Sequence, residues 1–234
     1  MSKGTILFIQ NYLTDPPHLV ADWLSELGFE IETIKPFEGD EIPTELPVNV
    51  SALIALGGAM GALDDHVAPW LAPERALLKR TVDNGLPVIG ICLGAQLLGA
   101  AMGGTVSRLE KNEIGLYDIY QVSDDSIMNV GEGLPTTQWH EDYVSTLPEG
   151  ASLIAASDTC PTQIYKVRDL VYGLQCHPEA DSSIVALWEA KPDNAFKTAG
   201  MKLVSHEIKE AESKLAAAWK PLIQSWGREV LARP

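Results

Sequence analysis

Three residues of this sequence are of the types that carry out acyl transfer. Cys92 lies in Gly90-Ile91-Cys92-Leu93-Gly94-Ala95-Gln96, and His177 and Glu179 flank a proline in Gly173-Leu174-Gln175-Cys176-His177-Pro178-Glu179. A thiolate attacks a carbonyl carbon, an imidazole moves the proton, and a carboxylate orients the ring and stabilises its charged form. In an extended segment residues i and i+2 project to the same side, so the His177 ring and the Glu179 carboxylate are expected to lie adjacent, with Pro178 restricting the backbone between them. The plain reading of each piece is a buried, inert cysteine in a tight turn and a solvated His-Glu pair at the surface.

The surroundings of Cys92 favour chemistry. Residues 87–91 read as a buried strand and 95–102 as a helix closed by Gly103-Gly104, which leaves Cys92 on the turn between them. In such an elbow the nucleophile's backbone is strained, and the residues two away on each side must be small enough for the chain to fold back. Gly90 and Gly94 meet that demand. The helix that follows turns its free amides and positive dipole end toward the sulfur, which favours thiolate. Attack on an amide creates an oxyanion that needs two fixed donors. The backbone amide of Leu93 is one candidate, and Gly58, in the strand-end loop Gly57-Gly58-Ala59-Met60-Gly61, is the other; its alternative is a simple glycine turn.

The elements that would position these groups follow a strand-helix rhythm. Thr5–Ile9, 29–34, 52–56 and 87–91 read as strands, and 17–27 and 70–82 as helices, the pattern of a mostly parallel sheet covered on both faces. Sites in such sheets sit at the carboxyl ends of the strands, where both Gly57-Gly58 and Cys92 fall. From 105 to 167 shorter alternating segments (115–120, 152–155 and 163–167) indicate antiparallel or mixed strands, and 171–176 is another buried strand ending at His177. Beyond Asp181 the chain reads as helical, most clearly over 206–220, with Pro221 kinking that helix or opening a short final one.

The 234 residues, 46% hydrophobic, suffice for one large α/β domain, and no linker or repeat interrupts them. Seventeen basic against 32 acidic residues give a net charge of −15, which argues against nucleic acid or an anionic membrane as partner. Three cysteines without a C-x-x-C pair argue against a disulfide scaffold or structural zinc. Residues 1–9 are too short for a signal peptide or a span, so a cytoplasmic setting is the default expectation. Asp64-Asp65-His66 reads as a solvated loop rather than a metal site, Cys176 as buried, and the tryptophans mostly as packing anchors, with Trp139 the exception beside His140.

Together, and in this order, Gly57-Gly58-Ala59-Met60, the Cys92 elbow and Gly173-x-Gln175-x-His177-Pro178-Glu179 resemble the motifs of the class I glutamine amidotransferases. The resemblance covers roughly residues 5–181. It implies a flavodoxin-like α/β architecture, a mostly parallel or mixed sheet flanked by helices, with 181–234 a helical extension packed on the same domain. It implies that Cys92 attacks the side-chain amide of glutamine, that His177 passes the proton to departing ammonia, and that water hydrolyses the resulting thioester to glutamate. Gln96, with backbone around Gly57, Gly58 and Leu93, would hold the substrate. Trp139-His140-Glu141-Asp142 falls at a His-Gly-Asp-like turn beside the pocket, with Glu141 in place of the usual glycine and His140 as a candidate substrate contact.

No cofactor or metal is expected. The ammonia would serve a separate synthetase subunit or be released, since no second catalytic domain or P-loop follows the motif. Two other readings remain open: a γ-glutamyl peptide hydrolase using the same Cys-His-Glu triad on a larger leaving group, and a noncatalytic binding protein retaining the fold.

Overall fold

The unbroken apolar runs become strands whose two faces are both covered. The computed structural model describes residues 3–191 and 203–233. In chain order the elements are β1 (Thr5–Ile9), α1 (His18–Ser25), β2 (Glu30–Ile34), β3 (Val50–Ala55), α2 (Leu71–Asp83), β4 (Val88–Ile91), α3 (Leu93–Ala101), β5 (Thr105–Gln121), β6 (Leu134–Thr146), β7 (Ser152–Ala156), β8 (Ile164–Arg168), β9 (Val171–Leu174), α4 (Ser182–Glu189) and α5 (Val204–Ala232). The sheet runs β2-β1-β3-β4-β9-β8-β7-β5-β6. Its pairs are parallel from β2 to β9 and antiparallel beyond. The mixed, flavodoxin-like order expected of the sequence is therefore present, with the strand order switching sides between β1 and β3, which places sites at their carboxyl ends.

Every residue of β1 is buried. Ile6 and Phe8 join the core on one face, with Val20, Trp23 and Leu24 of α1 and Trp219, Ile223 and Trp226 of α5. Leu7 and Ile9 enter the other, with Leu71, Leu77 and Leu78 of α2 and Leu97 and Leu98 of α3. The two-residue repeat of a strand divides these side chains between the layers.

Two expectations need correction. Residues 139–142 form no turn; they lie within β6, where His140 pairs with Glu113 and Asp142 with Arg108 of β5. Pro221 opens no separate final helix, because α5 continues through it to Ala232. Burial of Trp219 and Ile223 on either side of the proline holds the helix in place where local propensity would break it. Of the expected C-terminal extension, 192–202 and Pro234 lie outside the described residues, as do Met1 and Ser2 of the amino terminus. The described α5 packs on α1, α4, β5 and β6.

The indoles of α5 tie it to the sheet twice, Trp219 Nε1 donating to the Pro135 carbonyl at 3.1 Å and Trp226 Nε1 to the Leu170 carbonyl at 3.0 Å. Trp226→Ala is expected to cost about 3–5 kcal/mol in urea unfolding and Trp226→Phe less. A loss below about 1 kcal/mol for the alanine variant would show that α5 is not part of the core.

Candidate active site

The ends of β1, β3, β4 and β9 meet at one cleft of about 640 Å³, whose lining includes Gly58, Cys92, Leu93, Gln96, His140 and His177. Cys92 has φ 51° and ψ −108°, a conformation that L-residues rarely adopt and that the surroundings must hold. Two close contacts hold it. A Cβ at Gly90 would collide with the Gly94 carbonyl, and one at Gly94 with the Ala55 carbonyl. The Cys92 amide donates to the Leu174 carbonyl at 2.8 Å, fixing the elbow against β9. Leu93 opens α3, so its amide has no acceptor within the helix. Gly58 lies against it, since a Cβ there would sit 2.8 Å from Leu93 Cδ2.

His177 and Glu179 are brought together by a turn rather than by the extended segment expected. The Ala180 amide donates to the His177 carbonyl at 3.4 Å, and His177 Nδ1 lies 2.7 Å from Glu179 Oε1. Both side chains are buried. Backbone anchors fix the turn: the His177 amide donates to the Thr137 carbonyl at 2.9 Å, and the Glu179 carbonyl accepts from Leu19 at 3.3 Å. His177 Nε2 is buried and makes no completed hydrogen bond. Burial opposes the charged ring, but the charge of Glu179 and then that of Cys92 outweigh it, and His177 titrates well above its ordinary value. Cys92 and His177 line the same cleft.

Gly57 is set behind the cleft wall, where a Cβ would meet Asp15 Oδ1 at 2.9 Å and His177 Cε1 at 3.3 Å. Beneath this glycine loop, Asn11 donates from Nδ2 to the Leu56 carbonyl at 3.3 Å and to Glu74 Oε1 at 3.1 Å, and accepts from Trp70 Nε1 at 3.0 Å. Glu74 is fully buried on α2, and burial pushes its carboxyl up to about 8, against the lowering effect of Asn11.

On the opposite wall, Gln96 donates to the Asp142 carbonyl at 3.0 Å and to Gln175 Oε1 at 3.4 Å. His140 reaches the cleft, but its nitrogens are engaged with the Asp142 carbonyl at 3.1 Å and Glu113 Oε2 at 2.9 Å. Ser157 and Gln163 also donate to Glu113. Glu113, His140 and Cys160 carry potential metal-ligating atoms within 4.8 Å of one another. Their polar groups are committed to this network, and burial pushes the Cys160 thiol up to about 12.

The cleft also takes residues that the sequence motifs did not mark: Tyr12, Asp15, Asp64, Arg108, Trp188 and Lys191. Trp188, expected to be a packing anchor, sets its ring, tilted to both, 4.7 Å from that of His177 and 5.6 Å from that of Trp139. Its Nε1 donates to the Thr14 carbonyl at 2.9 Å, tying α4 to the loop after β1. Asp64, expected in a solvated loop, accepts from the Gly61 amide at 2.8 Å and faces the cleft, while Asp65 pairs with Arg75 at 2.7 Å. Cys176 is fully buried, and burial raises its thiol well above the ordinary value.

A strained cysteine at a strand-helix elbow thus shares one cleft with a carboxylate-bound histidine on a flavodoxin-like sheet, residue types that can carry acyl transfer. Residues 12–185 match the family described as "Glutamine amidotransferase class-I", and the chain belongs to that family of enzymes. It is 31% identical over 164 residues to the glutamine amidotransferase-like protein YfeJ of Salmonella typhimurium, covering 67% of this chain and 68% of that one. It is 39% identical over 109 residues to one subunit of the glutamine-hydrolysing GMP synthase of Thermococcus kodakarensis, 44% of this chain and 56% of that relative. The matched stretch therefore spans a little over half of the Thermococcus protein. A crystal structure of a glutamine amidotransferase from Thermotoga maritima superimposes with TM-score 0.87 at 25% identity, over the whole of both chains. One from Methylobacillus flagellatus superimposes with TM-score 0.79 at 28% identity, over 99% of this chain and 94% of that one.

No helix among the described residues is long and apolar enough to cross a membrane.

The buried Glu74 makes a stability prediction. Its carboxyl titrates near 8 in the folded state against an ordinary 4.5, so the folded protein keeps a proton that the unfolded chain releases. That contribution is complete below about pH 4.5 and lost as pH rises through about 8. Glu74→Gln, which cannot ionise, is expected to gain on the wild type across this window, by a few kcal/mol at its upper end. Urea unfolding at pH 5 and pH 8 measures it; an unchanged difference between the two proteins at both pH values would refute a buried neutral carboxyl.

Proposed function

We propose that this chain hydrolyses the side-chain amide of glutamine through a thioester on Cys92, releasing glutamate, with the ammonia passing to an acceptor on a separate synthetase subunit. The observation that carries this reading is the state of His177: one ring nitrogen is fixed by Glu179, and the other is buried, unbonded and beside the thiol. Cys92 Sγ adds to the amide carbon while the carbonyl oxygen takes the negative charge, facing the amides of Gly58 and Leu93. The tetrahedral adduct collapses with cleavage of the C–N bond, and His177 Nε2 gives its proton to the departing nitrogen. The same nitrogen then takes a proton from water, whose oxygen attacks the thioester carbon. The C–S bond breaks, glutamate leaves and Cys92 is restored.

Gln96 lines the substrate wall with its own amide nitrogen spent on Asp142, so it serves glutamine through its oxygen or by shaping the wall. His140, with both nitrogens engaged, shapes that wall and does not donate from a free ring nitrogen. Glutamine hydrolysis, the activity carried in the name of the Thermococcus relative, agrees with the reading. The packing of α5 into the core under the sheet supports treating the chain as one domain.

Cys92→Ser is expected to lower glutamate release from glutamine by at least roughly 10³-fold. Glu179→Gln is expected to lower kcat by roughly 10²- to 10⁴-fold. Because Glu179 is the leading group that raises His177, its loss also moves the alkaline limb of kcat/KM to lower pH, where the ring now gives up its proton. A Cys92→Ser protein that releases glutamate at the wild-type rate would end the proposal.

A further inference from the structure

The proposed chemistry gives the cleft two ends. The acyl oxygen must face Gly58 and Leu93, and the leaving nitrogen must face the ring that protonates it, so the leaving group occupies the His177 side. That side is furnished by Tyr12, Asp15, Trp188 and Lys191, all lining the same cleft as Cys92. Ammonia needs none of them. The cleft of about 640 Å³ also exceeds what glutamine fills, roughly 300 Å³ if each heavy atom is allowed a whole liquid-water share.

Lys191 is held over the Tyr12 ring, Nζ 4.0 Å from its centroid, a contact that steadies the cation without neutralising it. Burial lowers its pKa, and the nearby charge of Asp15 works against that lowering. Asp15 is itself buried, and burial is the leading cause that raises its carboxyl toward the neutral form. A half-desolvated ammonium beside an acid biased toward neutrality is a receptor for an anionic group.

We propose that Lys191, steadied by Tyr12, binds a carboxylate on the leaving amine, so that besides glutamine the chain takes γ-glutamyl amino acids, whose departing group is an amino acid in place of ammonia. The C–N bond broken, the thioester and the proton from His177 are those of the glutamine reaction, and water supplies the oxygen of the glutamate released. This inference rests on the Cys92–His177–Glu179 reading.

The test compares γ-glutamylglycine, which carries the carboxylate, with γ-glutamylmethylamide, which does not, by glutamate release from the wild type, Lys191→Met and Lys191→Arg. The wild type is expected to favour γ-glutamylglycine in kcat/KM by roughly tenfold or more. Lys191→Met is expected to bring the ratio near one and Lys191→Arg to keep part of it. The wild-type ratio needs no folded variant, and a value near one overturns the inference; so does a preference that survives in a folded Lys191→Met. If neither these substrates nor glutamine releases glutamate, and Cys92 resists a glutamine-mimicking electrophile, the hydrolytic reading fails and the leaving-group site fails with it. Hydrolysis of glutamine together with a ratio near one overturns the leaving-group site alone.

Discussion

The first turn of α3 lies directly on the sheet, and the geometry of the cleft depends on that contact. It is possible because one row of the sheet has almost no side chains: Ala55 pairs with Gly90, and Gly90 with Gly173. Gly94 of the helix presses on the Ala55 carbonyl, and a Cβ at Gly173 would enter the Tyr165 ring, whose hydroxyl donates to the Ala95 carbonyl at 2.5 Å. From this common row Gly58 is three residues on (58 − 55), Cys92 two (92 − 90) and His177 four (177 − 173). Parallel register alone thus delivers the three strand ends to one place. A Cβ at Gly90 would lift the helix and with it the amide of Leu93.

Electrostatics then act within a space that packing has already set. Burying an imidazole and a carboxylate is costly unless they face one another with good geometry. His177 and Glu179 do so at 2.7 Å, and their backbones are held from two further elements, by Thr137 of β6 and Leu19 of α1. Trp188 closes the space beside the ring. The pair is fixed less by its own attraction than by the three segments that surround it, which leaves the attraction to act on the proton of His177.

The legible part of the sequence was the part in which one physical demand dominates. β1, β3 and β4 are buried on both faces and read as continuous apolar runs, and Gly90, Gly94 and Cys92 stand out because an elbow tolerates few residue types. β6 escaped because its buried positions include Thr136, Thr137, Gln138 and His140; with polar residues at buried positions, hydropathy loses its two-residue signal. Pro178 was read as part of an extended segment, yet the Ala180 amide closes a turn there. Tyr12, Asp15, Trp188 and Lys191 come from a loop and a helix end, where spacing carries no message. The one available signal was Asp15, an acid shortly after the end of a buried strand that proves to be buried itself.

Satisfaction of polar atoms separates two clusters that look alike by composition. Glu113, His140 and Cys160 bring a carboxylate, an imidazole and a thiol together behind the cleft wall, as Glu179, His177 and Cys92 do at its floor. In the first cluster both oxygens of Glu113 accept hydrogen bonds, both nitrogens of His140 are engaged, and the Cys160 thiol donates to the Thr162 carbonyl at 3.4 Å. Such a closed network stiffens the β5–β6 wall and offers nothing to a ligand. In the second, His177 Nε2 and Glu179 Oε2 are buried without a hydrogen-bond partner among the described residues, and Cys92 is held at a positive φ. Unmet hydrogen-bonding capacity and backbone strain both cost stability, and they coincide where the cleft opens. The fold thus satisfies one such triad completely and leaves the other unsatisfied beside a cavity.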